Sequence, residues 1–319
     1  MNLVEYLQRA TEYLERHEVP SPRYNAELLL SKLLGISRLD IYTGFERMLS
    51  GVEADSYRDL LAKRAAGRPL QYLTGEAGFR GLILEVRPGV FIPRPETEVL
   101  VEKALEVLPV GDTGTQVLDL CCGCGNIAVS VATERPESTV TAVDCEQGAV
   151  ELAALNASRC GVGSRITLYQ GDLFEPFRQT GASFDAIVSN PPYVPTGSRD
   201  ALPVEVREFE PPQALFAGAD GLDIIRRIIA EAPGYLKQGG RLLLEVDESH
   251  AEKVISDLLV PSPLRGEGQG EGDTSFSSPS RGEDQGGGDT KATWSDAELF
   301  KDLAGRPRVV SARVVLDGR

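Results

Sequence analysis

The sequence predicts an α/β protein with a mainly parallel sheet, preceded by a small helical region. Two observations lead to this fold class. From residue 116 onwards, short apolar runs typical of buried strands alternate with segments of helical spacing. Such alternation places parallel strands side by side with helices on both faces. Residues 1–75, in contrast, show only the helical spacing of apolar positions.

The chain has 319 residues, enough for two domains. It has no run of 18 apolar residues, so we expect no membrane-spanning helix. The first twenty residues lack the apolar segment of a secretory signal. Five cysteines, three of them within residues 121–124, do not resemble a disulfide framework. We therefore expect a soluble, cytoplasmic protein with reduced thiols. We also expect a monomer.

The formal net charge of −15 is unevenly distributed. Residues 1–80 contain 11 basic and 11 acidic side chains, whereas residues 81–260 contain 14 basic and 27 acidic ones, a net charge of −13. Binding to a nucleic-acid backbone needs Lys and Arg that displace counterions. The charge therefore opposes direct DNA binding and favours a basic protein partner.

The N-terminal region is predicted to form a helical domain over residues 1–75. Its apolar positions follow helical spacing in two stretches: Leu3, Tyr6, Leu7, Ala10, Tyr13 and Leu14, then Ala26, Leu29, Leu30, Leu33 and Leu34. A β-hairpin linker is predicted over residues 76–92, with a turn at Arg80-Gly81. The helical domain is either a plain bundle or a substrate-docking module, and its sequence does not decide between them.

The remainder, residues 93–319, is predicted to be one α/β domain. We predict strands near 116–120, 139–143, 165–169, 184–189, 240–246, 297–301 and 307–315. Helices are predicted near 99–108, 126–133, 147–158, 221–235 and 248–259. Residues 261–292 are rich in Gly, Ser, Pro and acidic residues and contain a short tandem repeat, so we expect a disordered surface insertion.

A cysteine-rich turn, Cys121-Cys122-Gly123-Cys124-Gly125, follows the first of these strands directly and precedes a helix. Glycines at such a turn let a ligand approach the backbone closely. Asp144 ends the next strand, in the position from which an acidic residue binds ribose hydroxyls. Asp172-Leu173, after the third strand, can flank a base. The turn predicts a nucleotide-like cofactor, but a nicotinamide enzyme would use a similar one.

A tetrad, Asn190-Pro191-Pro192-Tyr193, follows the apolar strand 184–189. Proline has a fixed φ and no N–H, so the carbonyl groups beside it point in defined directions. The side-chain oxygen of Asn190 and the Pro191 carbonyl can both accept hydrogen bonds from one planar NH2 group. Tyr193 can stack on the same plane. The tetrad therefore indicates methylation of a conjugated nitrogen, against the alternative of a plain proline-rich loop.

Further stretches make a family resemblance specific, and they are Pro69–Gly75, Ile92–Glu98, Glu210–Leu222 and Asp302–Arg306, together with the cysteine-rich turn and the tetrad. With these motifs the chain resembles the protein-(glutamine) N-methyltransferases that modify class 1 peptide chain release factors. The resemblance covers the chain apart from residues 261–292. It implies a Rossmann-like, class I S-adenosylmethionine-dependent methyltransferase fold.

The resemblance also implies roles for individual residues. S-adenosyl-L-methionine would contact the turn residues Cys121, Cys122, Gly123, Cys124 and Gly125, the ribose-binding Asp144, the adenine-flanking Asp172 and Leu173, and Asn190. The target glutamine would be received by Asn190, Pro191, Pro192 and Tyr193. Among these, Asn190, Pro191 and Tyr193 would be catalytic.

The sequence departs from the family pattern at the turn, because the family usually has Gly and Thr or Ser where this chain has Cys121, Cys122 and Cys124. Among these, Cys121 replaces a glycine. This substitution is unfavourable if the position requires a positive φ. A cysteine-rich metal site is the other interpretation of the turn, but zinc ligands are usually separated by two to four residues. We expect no metal.

The implied function is methylation of the side-chain amide nitrogen of the GGQ-loop glutamine in class 1 release factors. Two alternatives stay open. An adenine amino-methyltransferase acting on nucleic acid would share the tetrad, although it should carry a basic groove and extract its base from a stack. A non-catalytic protein that kept the fold would not bind S-adenosylmethionine.

Overall fold

The computed structural model describes residues 2–44, 46–109, 111, 114–259 and 292–316. It separates into two compact units. The first unit is drawn from Met1–Ala77, Val86–Pro88 and Ala201–Glu210, and the second from Gly78–Glu85, Gly89–Asp200 and Pro211–Arg319. Nothing in the sequence indicated that residues 201–210 belong with the N-terminal helices.

The helices follow one another as α1 (Leu3–Arg16), α2 (Pro22–Leu34), α3 (Arg38–Thr43), α4 (Gly51–Ala65), α5 (Leu70–Thr74), α6 (Thr97–Val107), α7 (Asn126–Glu134), α8 (Gln147–Arg159), α9 (Val204–Phe209), α10 (Asp223–Glu231) and α11 (Ala251–Lys253). A π-helical segment, Val254–Leu259, continues α11. Among the described helices, none combines the length and apolar composition needed to cross a lipid bilayer.

The strands are β1 (Glu76–Phe79), β2 (Leu82–Glu85), β3 (Gln116–Leu120), β4 (Thr139–Asp144), β5 (Ile166–Gln170), β6 (Phe184–Ser189), β7 (Leu236–Glu245), β8 (Ala292–Lys301) and β9 (Pro307–Leu316). Strands β1 and β2 form a two-stranded sheet. Their connection contains Arg80 and Gly81, both with positive φ, as the predicted hairpin turn requires.

The first unit packs α1–α5 around an apolar core. Leu3 and Leu7 of α1 and Leu29 and Leu30 of α2 are fully buried there, at the positions that helical spacing predicted. Each of α1, α3 and α4 begins with a capping box, in which the side chains of the N-cap residue and of the third helical residue satisfy backbone N–H groups. These local signals explain why the helices begin where they do.

The second unit is built on a seven-stranded sheet with the order β5-β4-β3-β6-β7-β9-β8. Strands β3 to β7 are parallel, and β9 and β8 complete one edge in antiparallel pairing. The strand order reverses between β3 and β6. This is the doubly wound arrangement that the sequence predicted, and ligands bind beyond the carboxyl ends of the strands at such a reversal.

The sheet is buried on both faces. In β6, Ala186 and Val188 contribute to one apolar cluster and Ile187 to the other. Alternate residues of a strand point to opposite faces, so a continuous apolar run is the expected pattern for a covered central strand. The core thus supports β3 and β6 from both sides.

The predicted strands 116–120 and 184–189 coincide with β3 and β6, but elements near the C-terminus differ. Strand β8 begins at Ala292, which pairs with Leu316, so this last residue of the predicted insertion lies in a strand. The rest of that insertion lies outside the described residues. The predicted helix 221–235 ends earlier, at Glu231, because Pro233 cannot donate a helical hydrogen bond.

Candidate functional site

The site lies at the carboxyl ends of β3 and β6, where the strand order reverses. Leu120, the last residue of β3, is paired in register with Ser189, the last residue of β6. The Ser189 hydroxyl donates a buried 2.7 Å hydrogen bond to the Leu120 carbonyl. The cysteine-rich turn and the tetrad are therefore brought next to each other, although they are far apart in sequence.

The cysteine-rich turn has an unusual backbone. Cys121, Gly123 and Gly125 all have positive φ, at 59°, 55° and 81° respectively. A Cβ on Gly125 would lie 2.9 Å from the Cβ of Ala153 in α8, whereas a Cβ on Gly123 would meet nothing within 4 Å. Gly125 is thus needed for helix packing, whereas the space beside Gly123 is open.

The backbone of Cys121 adopts the left-handed conformation that favours glycine, so this position does require a positive φ. A cysteine there is therefore a strained replacement for the glycine of the family pattern. The thiols of Cys122 and Cys124 are buried, and burial raises the pKa of Cys124 to about 12. Neutral buried thiols are poor metal ligands. Among the described residues, no group of three or more His, Cys, Asp or Glu is arranged to hold a metal ion.

Asp119 of β3 is fully buried beneath this turn. One carboxylate oxygen accepts a 3.0 Å hydrogen bond from the Ala128 amide near the start of α7. The other oxygen has no hydrogen-bond partner in the described structure. Burial raises the pKa of Asp119 well above its usual value, and the nearby Asp144 carboxylate adds to this shift. A cation beside Asp119 would pair with the free oxygen and would lower the raised pKa.

Asp144 ends β4, next to the turn. Its carboxylate accepts hydrogen bonds from the backbone amides of Gly123 (2.8 Å) and Glu146 (3.0 Å). Burial raises the pKa of Asp144, although the two amides lower it in part. The hydrogen bonds hold the carboxylate against the turn, in a position suited to accept further hydrogen bonds from hydroxyl groups.

Asp172 and Leu173 follow β5. The side chain of Leu173 is buried and its backbone has a φ of 52°, which again is uncommon for a residue with a Cβ. The Asp172 carboxylate forms a 2.7 Å ion pair with Arg227 of α10. The ion pair links the segment after β5 to α10, and Leu173 packs in an apolar cluster of the second unit.

The tetrad begins at the end of β6. The Asn190 side-chain nitrogen donates a 3.1 Å hydrogen bond to the hydroxyl of Thr97, the first residue of α6. No described residue donates a hydrogen bond to the Asn190 side-chain oxygen. This oxygen is therefore available to accept one from a ligand. Pro191, the next residue, is buried.

Glu245 ends β7 behind the tetrad and is 1% exposed. One carboxylate oxygen accepts a 3.3 Å hydrogen bond from the Tyr193 hydroxyl, and the other has no hydrogen-bond partner in the described structure. Burial raises the pKa of Glu245 to about 7, while Thr97, Arg308 and Tyr193 oppose that shift. Burial also raises the pKa of Tyr193, so its phenol stays protonated and acts as a hydrogen-bond donor.

The segment 214–222 supports the tetrad from its other side. The Val194 amide donates to the Leu215 carbonyl (2.8 Å), and the Ala217 amide donates to the Val194 carbonyl (3.0 Å). A Cβ on Gly221 would lie 2.3 Å from the Tyr193 carbonyl oxygen. The glycine therefore permits direct packing of this segment on the backbone of the tetrad.

Three residues at the site were not singled out as site residues from the sequence: Asp119, Thr97 and Glu245. Thr97 lies within the stretch Ile92–Glu98 that carries the resemblance, so that motif was the available signal. Glu245 ends an apolar strand, as Asp144 does, and that position was the only sign of its role.

Comparison with known proteins identifies the family of this chain. Family models described as PrmC N-terminal domain and methyltransferase small domain match residues 5–75 and 84–204. The chain is 45% identical over 243 residues to the release factor glutamine methyltransferase of Geobacter sulfurreducens, which covers 76% of this chain and 83% of that protein. It is 35% identical over 316 residues to that of Streptomyces coelicolor, covering 98% of this chain and 99% of that protein.

Among solved structures, the protein-(glutamine-N5) methyltransferase (release factor-specific) of Alicyclobacillus acidocaldarius is 29% identical to this chain. It covers 72% of this chain and 98% of its own, with a TM-score of 0.38.

Proposed function

The chain belongs to the family of release factor glutamine methyltransferases, and on that premise we propose that it transfers a methyl group to a glutamine side-chain nitrogen of class 1 peptide chain release factors. The observation that carries the proposal is the Asn190 side chain, whose nitrogen is engaged by Thr97 and whose oxygen is left to accept a hydrogen bond. A site of this kind receives a carboxamide NH2 group. Translation factors are cytoplasmic substrates, so we propose that the enzyme acts there.

The residues beside β3 and β4 fit S-adenosyl-L-methionine. The free oxygen of buried Asp119 suits the positively charged end of the methionine part. The open space at Gly123 accommodates a ligand against the backbone, and Asp144 accepts hydrogen bonds from ribose hydroxyls. Cys121, Cys122, Cys124 and Gly125 shape the same turn. Asp172 and Leu173 flank the adenine.

Methylation of an amide is difficult because the nitrogen lone pair is delocalised into the carbonyl group. S-adenosylmethionine supplies an electrophilic methyl group, whose carbon–sulfur bond breaks with its electron pair left on sulfur as the nitrogen–carbon bond forms. The Asn190 oxygen and the Pro191 carbonyl accept the two amide hydrogens. They stabilise the positive charge that develops on nitrogen until one proton leaves to water, which is preorganised electrostatic catalysis.

Pro192 and Tyr193 position the acceptor. Proline has a restricted backbone, so the acceptor carbonyl does not reorient when charge develops. The Tyr193 ring is held by its hydrogen bond to Glu245 and packs against the amide plane. Holding the nitrogen in line with the methyl carbon is a contribution from orientation rather than from proton transfer.

Every glutamine presents the same carboxamide, so selection of a release factor needs contacts outside the tetrad. We assign these contacts to the first unit, as a substrate-docking domain. Leu39, Met48 and Val52 of this unit are exposed apolar side chains suited to a protein contact. Replacing Leu39 and Met48 by Ser should raise KM for the release factor and leave kcat unchanged.

The decisive experiment incubates the enzyme with labelled S-adenosylmethionine and either a purified class 1 release factor or duplex DNA, followed by mass spectrometry. Label on the glutamine of the GGQ loop is expected. A release factor with that glutamine replaced by glutamate serves as the control, since it lacks the NH2 group.

Label on adenine alone would establish the nucleic-acid alternative, which the net charge of −13 over residues 81–260 already opposes. Absence of label together with absence of S-adenosylmethionine binding in calorimetry would identify a protein that kept the fold without the activity.

A further inference from the structure

Thr97 and Glu245 lie behind the tetrad, each 1% exposed. Neither is placed to contact the substrate in the reaction described above. We propose that they are positioning residues for the methyl acceptor: together they hold the Asn190 amide with its NH2 group turned into the protein and its oxygen turned to the substrate. The inference rests on the proposed function and deepens it.

The direction of the hydrogen bonds follows from Glu245. An ionised carboxylate has only acceptor atoms, and one buried oxygen of Glu245 has no other hydrogen-bond partner in the described structure. The Thr97 hydroxyl acts on this carboxyl group and lowers its pKa, so we assign the single hydroxyl hydrogen of Thr97 to that oxygen. The Thr97 oxygen can then only accept, and it accepts from the Asn190 nitrogen at 3.1 Å. The carboxylate at one end of this chain thereby determines which end of the amide faces the cleft.

Orientation of the amide matters because its two ends are alike in shape and opposite in function. If the Asn190 side chain were rotated by half a turn, its NH2 group would face the NH2 group of the substrate. Two donors cannot bond to each other, and the acceptor that stabilises the developing charge would be lost. Thr97 and Glu245 prevent this rotated state from being populated.

The same carboxylate also holds Tyr193, through the 3.3 Å hydrogen bond from its hydroxyl. One buried group therefore positions both the acceptor oxygen and the aromatic ring. Buried networks of this kind are rigid when they are satisfied, because alternative arrangements leave polar atoms unpaired. The position of Glu245 at the end of β7, adjacent to β6, makes the arrangement possible.

The test compares Thr97→Val, Thr97→Ser and Glu245→Gln in single-turnover methylation of a release factor at saturating S-adenosylmethionine. Thr97→Val should lower the rate by about 10- to 100-fold, because the amide is no longer held in one orientation. Thr97→Ser should recover most of that loss. S-adenosylmethionine affinity, measured by calorimetry, should stay within about twofold, since Thr97 acts through Asn190.

Combining Thr97→Val with Asn190→Ala distinguishes a positioning role from a merely structural one. If Thr97 acts through Asn190, the effects of the two substitutions on the rate are not additive. Added to Asn190→Ala, Thr97→Val should lower the rate by less than about twofold, because the group that it positions is already gone. Thr133→Val is the matched control, since the Thr133 hydroxyl bonds only to the Val129 carbonyl in α7 in the described structure. It should leave the rate unchanged.

Equal losses from Thr97→Val in the two backgrounds would overturn the inference, as would a near-normal rate in Thr97→Val itself. If Thr97→Val does not fold, Glu245→Gln decides: its carboxamide no longer enforces the direction, so a wild-type rate in this variant would also overturn the inference. A wild-type enzyme that leaves release factors unmodified would instead refute the proposed function.

Discussion

Thr97 and Asn190 are separated by 93 positions in the chain and joined by a 3.1 Å hydrogen bond from the Asn190 side-chain nitrogen to the Thr97 hydroxyl. The bond connects the start of α6 to the end of β6. It leaves the Asn190 oxygen as the polar atom available to a substrate. The predictions that follow depend on this site and on the turn beside it.

Removal of the Asn190 amide should abolish most of the activity. We expect Asn190→Ala to lower kcat by about 10²- to 10³-fold, the range for loss of one preorganised hydrogen-bonding group. S-adenosylmethionine affinity should stay within a few-fold in calorimetry, because Asp119, Asp144 and the turn are intact. A variant with near-normal turnover would show that Asn190 does not carry the role given to it.

The methylation rate should rise with pH through about 7, where Glu245 ionises. Below that pH the carboxyl group is protonated and can donate, so it no longer enforces the direction of the Thr97 hydroxyl. The groups that act on this carboxyl are Thr97, Tyr193, Arg308 and Glu96. Single-turnover rates from pH 6 to 8.5 check the prediction, and Glu245→Gln should give a flatter profile over the same range.

Gly221→Ala should disturb the tetrad from behind. The added Cβ would lie 2.3 Å from the Tyr193 carbonyl oxygen, so either Tyr193 or the segment 214–222 has to move. We expect a lower kcat together with a lower Tm.

Gly161→Ala is the matched control for Gly221→Ala. Its φ of 72° is close to the 77° of Gly221, but a Cβ there would meet nothing within 4 Å. Gly161→Ala therefore introduces only the backbone strain of a positive φ, about 1 kcal/mol, without a steric clash. This variant should leave kcat unchanged. Similar losses of kcat in the two variants would argue against the contact with Tyr193.

Asp119→Asn should stabilise the ligand-free protein and weaken cofactor binding. Because the folded-state pKa of Asp119 is raised, the folded protein binds this proton more tightly than the unfolded chain does. The free energy of unfolding therefore falls as pH rises from the unfolded-state pKa of Asp119 to its folded-state pKa. Above the folded-state pKa this loss of stability is complete.

The asparagine cannot ionise, so its Tm should exceed that of the wild type by an amount that grows as pH rises. S-adenosylmethionine affinity should fall by about tenfold or more, since a buried carboxylate is lost opposite a cation. The control is Asp59→Asn, which removes an exposed carboxylate paired with Lys63 and should change neither quantity measurably. A lower Tm for Asp119→Asn would show that the carboxylate stabilises the ligand-free fold.

Cys121→Gly should be tolerated, in contrast to Cys122→Gly. A left-handed conformation destabilises an L-residue by roughly 1–2 kcal/mol, and the extra unfolded-state entropy of glycine offsets roughly 0.5–1 kcal/mol of the relief. Thermal unfolding should therefore show an unchanged or slightly higher Tm for Cys121→Gly. Cys122 is 1% exposed, so its truncation leaves a cavity and should lower Tm.

Much of the fold was predictable because its signals are local. The apolar spacing of α1 and α2 lies within single stretches of chain, as do the apolar runs of β3 and β6. The start of β8 at Ala292 was not predictable, because it is set by pairing with Leu316 on β9. The length of a strand depends on its partner as well as on its own residues.

The sequence by itself determined that a cysteine-rich turn and an Asn-Pro-Pro-Tyr tetrad each follow a buried strand, and that both belong at the carboxyl edge of one parallel sheet. Only the tertiary structure decided what holds the tetrad. The hydrogen bonds of Asn190 and Tyr193 run to Thr97 and Glu245, which come from other elements of the second unit. A motif shows which atoms are available, but the orientation of an amide depends on partners that folding alone brings within 3 Å or so of it.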